Sequence, residues 1–230
     1  MDATMLNVRR DCVSKEAVHI LVGITKEGYK EVLDFGIYPS ESCENYKEML
    51  QSIPKRGCSE ILLFVSDGLT GIKDACLSVF PKAKHQSCWV HISRNIARLV
   101  RVKDRKEILD TLKSVYQSKT EEATLNLESF ISSMSKRYPK VVDKFKDRSN
   151  LFSFLSFPKE IQRSLYSTNL IEGLNKQLKR YTRRKEQFPN EDSLERFICN
   201  QFIEYNQRFL SRIHRGFDVV QSELQEMFEL

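Results

Sequence analysis

Residues 60–68 read EILLFVSDG, five consecutive apolar side chains between a glutamate and a polar turn. A short, unbroken run of this kind suits a strand covered on both faces, as in a sheet with helices packed against each side. In open parallel or mixed sheets, ligand sites gather beyond the carboxyl ends of the strands. Asp67 follows the run by one residue, so the spacing predicts a carboxylate projecting from such an end. The plainer alternative is that Ser66-Asp67-Gly68 is a turn leading into a helix cap.

Working outward, GIKDACLSVFP (71–81) reads as a short helix halted by Pro81, and HQSCWVHI (85–92) as a short strand entering a helix near Ser93. Upstream, AVHILVGITKEGYKEVLDFGIYP (17–39) is two β-branched runs about a Lys26-Glu27-Gly28 turn, which predicts a hairpin. ENYKEMLQSIPKRG (44–57) has helical spacing at Tyr46, Met49, Leu50 and Ile53 and stops at Gly57. After about residue 103 the chain turns polar, glycine-poor and helical in period, with amphipathic helices up to Phe145 and another in EDSLERFICNQFIEYNQRFL (191–210). The predicted class is therefore α/β: a mixed sheet, a helical insertion, then helical C-terminal packing. The expected segments are 1–103 (first part of the core), 104–160 (helical insertion) and 161–230 (last part of the core).

An apolar share of 40% across 230 residues supports a substantial core and argues against disorder. The net charge of +6 permits an anionic partner, but distribution decides more than the total. The six cysteines are scattered without a Cys-x-x-Cys pair, which reads as free thiols in a reducing compartment. No apolar run reaches bilayer length and MDATMLNVRR lacks a targeting core, so a cytoplasmic protein without membrane contact is expected.

The most unusual charge pattern lies in YSTNLIEGLNKQLKRYTRRK (166–185). On a helix, Ile171, Leu174, Leu178 and Tyr181 recur on one face and Glu172, Lys176, Lys179 and Arg183 on its neighbour. Between Gly173 and Lys185 the basic residues are Lys176, Lys179, Arg180, Arg183, Arg184 and Lys185, and none is acidic. Ser167, Thr168 or Asn169 can cap the helix, whose dipole favours a glutamate in the first turn. The unbroken basic stripe repels itself unless an anion lies beside it, and phosphate is the natural one. A carboxylate beside bound phosphate makes sense once a hard divalent cation joins it. Mg²⁺ or Mn²⁺ takes oxygen ligands, and two such ions about 3.5–4 Å apart can clamp an in-line phosphoryl transfer. That chemistry wants a third carboxylate from an early strand, for which Asp2, Asp11 and Asp34 are the options.

DATMLNVRR (2–10), VSDGLTGIKDA (65–75), CWVHISRN (88–95) and YSTNLIEGLNKQLKRYTR (166–183) occur in this order and together resemble the Mutator-like family of bacterial insertion-sequence transposases. The resemblance runs over essentially the whole chain. It implies a ribonuclease-H-like fold and an Asp-Asp-Glu triad of Asp2, Asp67 and Glu172, binding two Mg²⁺ or Mn²⁺ ions. It also implies metal-dependent DNA cleavage and 3′-hydroxyl strand transfer, as in a polynucleotidyl transferase. Lys176, Lys179, Arg180, Arg183 and Arg184 would then receive the DNA backbone, and His91 and Arg94 would touch DNA or support a carboxylate. The expected partners are the element's terminal inverted repeats, target DNA, and further copies of the chain in a dimer or larger assembly. The long interval from Asp67 to Glu172 matches an insertion that the family carries before the glutamate. Family members have DNA-recognition modules ahead of the first aspartate. Here Asp2 follows Met1 directly, so the chain is expected to lack that region and to act poorly alone. A nuclease of the same fold and a catalytically inactive DNA-binding or oligomerisation remnant are the alternatives.

Other motifs read more plainly. Cys88-x-x-His91 is half a zinc site with no second pair at plausible spacing; His85 could join it, but on a strand Cys88 would point to the opposite face from His85 and His91. Trp89 and NLFSFLSFP (150–158) read as core, Asp74 as a solvated face. Asn169 and Asn175 can orient phosphate or a metal-bound water, and Asn169 can equally cap its helix.

Overall fold

The computed structural model describes residues 1–9, 12–185 and 187–229, without the side chain of Arg184. Strands β1 (Asp2–Arg9), β2 (Val13–Ile24) and β3 (Lys30–Tyr38) form an antiparallel sheet in the order β1-β2-β3. The β2–β3 turn is the expected one. Gly28 N–H donates to Thr25 O at 2.9 Å, and Gly28 takes φ +92°, which a side chain would resist.

Helix α1 (Cys43–Ser52) follows, its N-terminus capped by the Ser42 hydroxyl accepting from Asn45 N–H. Strand β4 (Leu63–Ser66), helix α2 (Ile72–Val79) and strand β5 (Lys84–Ser87) make a βαβ unit whose strands pair in parallel from Leu63–Lys84 to Ser66–Ser87. Helices complete the chain: α3 (Trp89–Leu99), α4 (Val102–Tyr116), α5 (Thr120–Met134), α6 (Pro139–Val142), α7 (Lys159–Leu165), α8 (Asn169–Thr182), α9 (Glu191–Phe209) and α10 (Gln221–Glu229).

The burial of β2 explains the layering. Every residue from Glu16 to Leu21 is buried, because helices cover both faces of the strand. Val18 and Ile20 point to one side, where Leu6, Val8, Ile171, Leu174, Leu178, Ile198 and Phe202 join β1, α8 and α9 in one apolar cluster. Leu21 points the other way, into a cluster with Tyr46, Met49 and Leu50 of α1 and Ile72 and Cys76 of α2. Each such aliphatic side chain stabilises the fold by about 1.5–3 kcal/mol relative to exposure. A further cluster is wholly helical, built from Trp89, Ile96, Ile108, Leu112, Leu127, Phe130, Val141, Phe145 and Phe154.

Five readings need correction. First, backbone pairing resolves into two small sheets rather than one mixed sheet, with β1 meeting β4 where the Met1 amino group donates to Val65 O at 2.8 Å. Second, β4 is not buried on both faces. Phe64 and Ser66 are buried, whereas Leu63 and Val65 are half-buried and line a cleft of about 740 Å³ shared with Leu21–Ile24 of β2. Third, the strand containing His85 ends at Ser87, and Trp89 already begins α3, so Cys88 and His91 lie one helical turn apart rather than alternating. Fourth, Tyr181 is 41% exposed. The apolar cluster is completed instead by Phe188, whose N–H donates to Asn7 O and whose carbonyl accepts from Arg9 N–H on β1. Fifth, α7 and α10 had no separate signal in the sequence.

Trp89 is fully buried, as expected, with Nε1–H donating to Leu151 O at 2.7 Å and its ring stacked on Tyr116. The six cysteines are free thiols. Among the described residues, no helix is long and apolar enough to cross a membrane.

Candidate active site

Asp2 opens β1. Its Oδ1 accepts from Ala3 N–H at 3.0 Å, and its Oδ2 accepts from the Asn175 side-chain amide on α8 at 2.9 Å. Burial pushes the Asp2 carboxyl up from its ordinary range. The Met1 amino group and His91 pull it down, while the charge of Asp67 raises it further. Asp67 directly follows β4, as the apolar run predicted, and its Oδ1 accepts from Leu69 N–H at 3.2 Å. The plainer turn reading therefore holds as well, since the loop bends here with Gly68 at φ +126°.

Glu172 sits in the first turn of α8, where the helix dipole favours a negative charge. It is buried, with Arg94 from α3 forked onto it. One guanidinium nitrogen donates to Oε1 at 2.6 Å and the other to Oε2 at 2.7 Å. These charge-assisted bonds hold the Glu172 carboxyl below its usual range. His91 Nε2 lies 3.8 Å from Oε1 of the same carboxylate. His91 and Arg94, three residues apart on α3, thus converge on Glu172.

The amino ends of α3 and α8 are tied together. Thr168 is the N-cap position of α8, yet its hydroxyl makes no capping bond there. It donates instead to Cys88 Sγ at 3.3 Å and pairs with His91 Nδ1 at 3.2 Å, while Thr168 N–H also donates to Cys88 Sγ. Trp89 N–H completes the link by donating to Tyr166 O at 2.9 Å. Burial alone would raise the Cys88 thiol, but the bonds to His91 and Thr168 outweigh it and bring the thiol below its ordinary value. The Cys88 bond is the largest effect raising His91. Cys88 and His91 therefore act as one polar pair. His85 is not part of it, since its Nε2 pairs with Ser66 Oγ at 2.8 Å.

Two neighbours of the site are not legible as such in the sequence, where Tyr46 counts only as an apolar position of α1. Burial raises the Glu41 carboxyl at the rim of the site, and the charges of Asp67 and Asp2 add to that shift. The phenol of Tyr46, buried on α1, is raised by burial and by Glu41, Asp2 and Asp67. Neither residue lies in a motif. Only the packing of α1 against the strand ends brings them near.

Among the described residues, no three His, Cys, Asp or Glu side chains are gathered closely enough to hold a metal ion. Arg94 takes both Glu172 oxygens, the Asn175 amide takes Asp2 and the Leu69 N–H takes Asp67. The donor set still fits an oxygen-seeking cation. The charge of Asp67 adds to the cost of ionising Asp2, and Asn175 Oδ1 is buried beside Asp2 without a hydrogen-bond partner. Lys176, Lys179 and Arg180 are exposed on the outward side of α8 and Arg183 is exposed just past its end, while Arg184 falls outside the described side chains. Gly173, between Glu172 and the stripe, is also exposed, and a Cβ built there would meet no atom within 4 Å.

Residues 1–211 match the family model described as "Transposase, Mutator family". The transposase for insertion sequence element IS905 of Lactococcus lactis subsp. lactis is 41% identical over all of this chain and 59% of its own length. The transposase for insertion sequence element IS1201 of Lactobacillus helveticus is 41% identical over 89% of this chain and 56% of its own. A probable transposase of Corynebacterium diphtheriae is 32% identical over 87% and 61% respectively. The chain thus spans little more than half the length of these curated relatives.

Proposed function

The chain belongs to the Mutator family of transposases, and from that premise and the site geometry we propose that it is the catalytic region of an insertion-sequence transposase with a ribonuclease-H-like arrangement. Asp2, Asp67 and Glu172 are the catalytic carboxylates, and the basic side of α8 receives the DNA backbone. The observation that carries this reading is the Asn175–Asp2 hydrogen bond. It ties the strand bearing the first carboxylate to the helix bearing the third, one turn from Glu172, while Asp2 senses the charge of Asp67.

Bound divalent cations, Mg²⁺ or Mn²⁺, supply activation of the attacking oxygen and stabilisation of the leaving oxygen. The protein's own residues do the rest. Asp2, Asp67 and Glu172 would hold the cations, Asn175 fixes the orientation of Asp2, and His91 and Arg94 orient Glu172. Lys176, Lys179, Arg180 and Arg183 position phosphates without reading sequence. The reaction is hydrolysis at an element end followed by transesterification of the freed 3′-hydroxyl into target DNA, with no covalent protein–DNA intermediate. The DNA substrates are the element's ends and a target duplex, and a multimer pairing two ends fits the task.

The test is a strand-transfer assay with pre-cut oligonucleotide ends and a plasmid target in Mn²⁺. Joining that Asp67→Asn and Glu172→Gln abolish supports the reading. Cleavage without joining points to a nuclease of the same fold. Joining that survives both substitutions refutes the triad. One observation favours a second reading, a DNA-binding remnant without catalysis: both oxygens of Glu172 are spent on Arg94. Such a remnant binds DNA yet shows no carboxylate-dependent Mn²⁺ heat in a calorimetric titration.

A further inference from the structure

The Arg94–Glu172 pair uses the strongest geometry available to two side chains, a planar fork on both carboxylate oxygens. A carboxylate so engaged has its best lone pairs occupied and is a poor ligand for anything else. Yet the pair is asymmetric in its setting. The Glu172 side chain is 11% exposed while that of Arg94 is 48% exposed, so the cation has a solvent-facing side and the anion does not. Arg94 also feels the charge of Asp2 as well as that of Glu172. The guanidinium thus stands among the carboxylates where positive charge is needed, with room to leave. The same α3 face that carries it adjoins the amino end of α8, whose outward side bears the exposed Lys176 and Lys179.

We propose that Arg94 is an exchangeable counter-ion: it holds Glu172 while the site lacks a divalent cation, and turns its fork to a DNA phosphate when the cation is bound. The inference rests on Glu172 being a metal ligand, as proposed above. It deepens that reading by making metal loading and phosphate binding linked events. Arg94 neutralises Glu172 in the resting state, which spares the fold an uncompensated buried charge. Once released, Arg94 keeps a bidentate partner, because phosphate accepts the same fork. Linkage makes the effect reciprocal: whatever factor Mn²⁺ adds to DNA affinity, DNA adds to Mn²⁺ affinity.

The experiment is a calorimetric titration of the whole chain with Mn²⁺ alone, for the unsubstituted protein, Arg94→Ala, Arg94→Lys and Asp67→Asn. A second arm measures the anisotropy of a labelled duplex with Mn²⁺ or with chelator. The proposal expects Arg94→Ala to bind Mn²⁺ roughly three- to tenfold more tightly, the size of a half-exposed charge-assisted pair. It expects Arg94→Lys, which keeps the charge but loses the fork, to fall between. It expects the gain in DNA affinity on adding Mn²⁺ to shrink in both Arg94 variants. If Arg94→Ala fails to fold, Arg94→Lys carries the comparison. Equal or weaker Mn²⁺ binding in the folded Arg94 variants, with Asp67→Asn still weakening it, overturns the exchange and leaves the carboxylate site standing. Mn²⁺ binding that Asp67→Asn does not weaken, or no binding at all, overturns both.

Discussion

Replacing Gly173 by alanine separates what the fold wants from what the function wants. Gly173 lies inside α8, directly after Glu172, and it is not among the glycines with positive φ. Its backbone is therefore one that alanine adopts readily. The added methyl meets no atom within 4 Å, so there is no steric penalty to subtract. What remains is the helix preference of alanine over glycine, about 0.5–1 kcal/mol, part of it from a less flexible unfolded chain. For a domain of this size that is about a 1–4 °C rise in Tm. The expected result is thus a more stable protein, read by thermal and urea denaturation. The same methyl stands on the open surface beside Glu172, where the proposed DNA backbone passes. Duplex binding and strand transfer should both fall in the stabilised variant. A stabilised Gly173→Ala with unchanged DNA affinity would refute the placement of DNA over this turn. A destabilised one would refute the account of α8 as ordinary open helix at this residue.

Other consequences are as direct. Lys179→Ala and Arg183→Ala should each weaken duplex binding for all sequences alike and reduce the slope of log affinity against log salt by about 1, measured by anisotropy across salt. Stability should decline as pH falls from about 6.5 towards 4. Burial lowers the His19 ring to about 4, so the unfolded chain binds the proton first in that window and the folded state loses ground. His85 and His214 are lowered to about 4 by burial as well, so His19→Phe should lessen that decline without removing it in urea melts at pH 5 relative to pH 7.5, and an unchanged pH slope would show that His19 does not contribute. Trp89→Phe removes the indole donor to Leu151 O and part of the stacking on Tyr116. It should cost about 2–4 kcal/mol, the sum of a lost buried hydrogen bond and a partly unfilled site, and a loss under 1 kcal/mol would contradict its place at the centre of the helical cluster.

The parts of the fold legible in sequence are those where one physical signal dominates. The β2–β3 hairpin follows from β-branched runs about Gly28, and α1 from period and a glycine stop. Asp67 lands where an apolar run meets a polar turn, because a strand end is a local event. The limits are equally local. HQSCWVHI reads as strand until the contacts of Trp89 are known. Its indole bonds Leu151 O and its amide bonds Tyr166 O, partners far along the chain that pull residues 89–91 into the first turn of α3. Tyr181 continues the apolar stepping of α8, but Phe188 fills the position on the cluster through its bridge to β1. A helical period cannot register a competitor from another segment.

The same reasoning explains which half of the site the sequence conveyed. The acidic head and basic flank of α8 are a one-dimensional pattern and survive into three dimensions, with Glu172 inward and the cations outward. What holds Glu172 is a two-body fact. By charge pattern alone Arg94 is one more cation; the family resemblance offers it DNA or a carboxylate, and the choice is visible only once α3 starts at Trp89 rather than Ser93, which sets His91 and Arg94 on the face turned to α8. The Cys88–Thr168–His91 link fixes the amino ends of the two helices together, and the fork on Glu172 follows from that placement. A substitution at Thr168 should therefore act on Glu172 without touching it. Thr168→Val keeps the volume and removes the hydroxyl that joins Cys88 to His91. If the link sets the helix ends, Thr168→Val should loosen the fork, tighten Mn²⁺ binding in the direction of Arg94→Ala and shrink the DNA coupling proposed for Arg94, with little change in overall melting. If it leaves both unchanged, packing alone aligns α3 with α8.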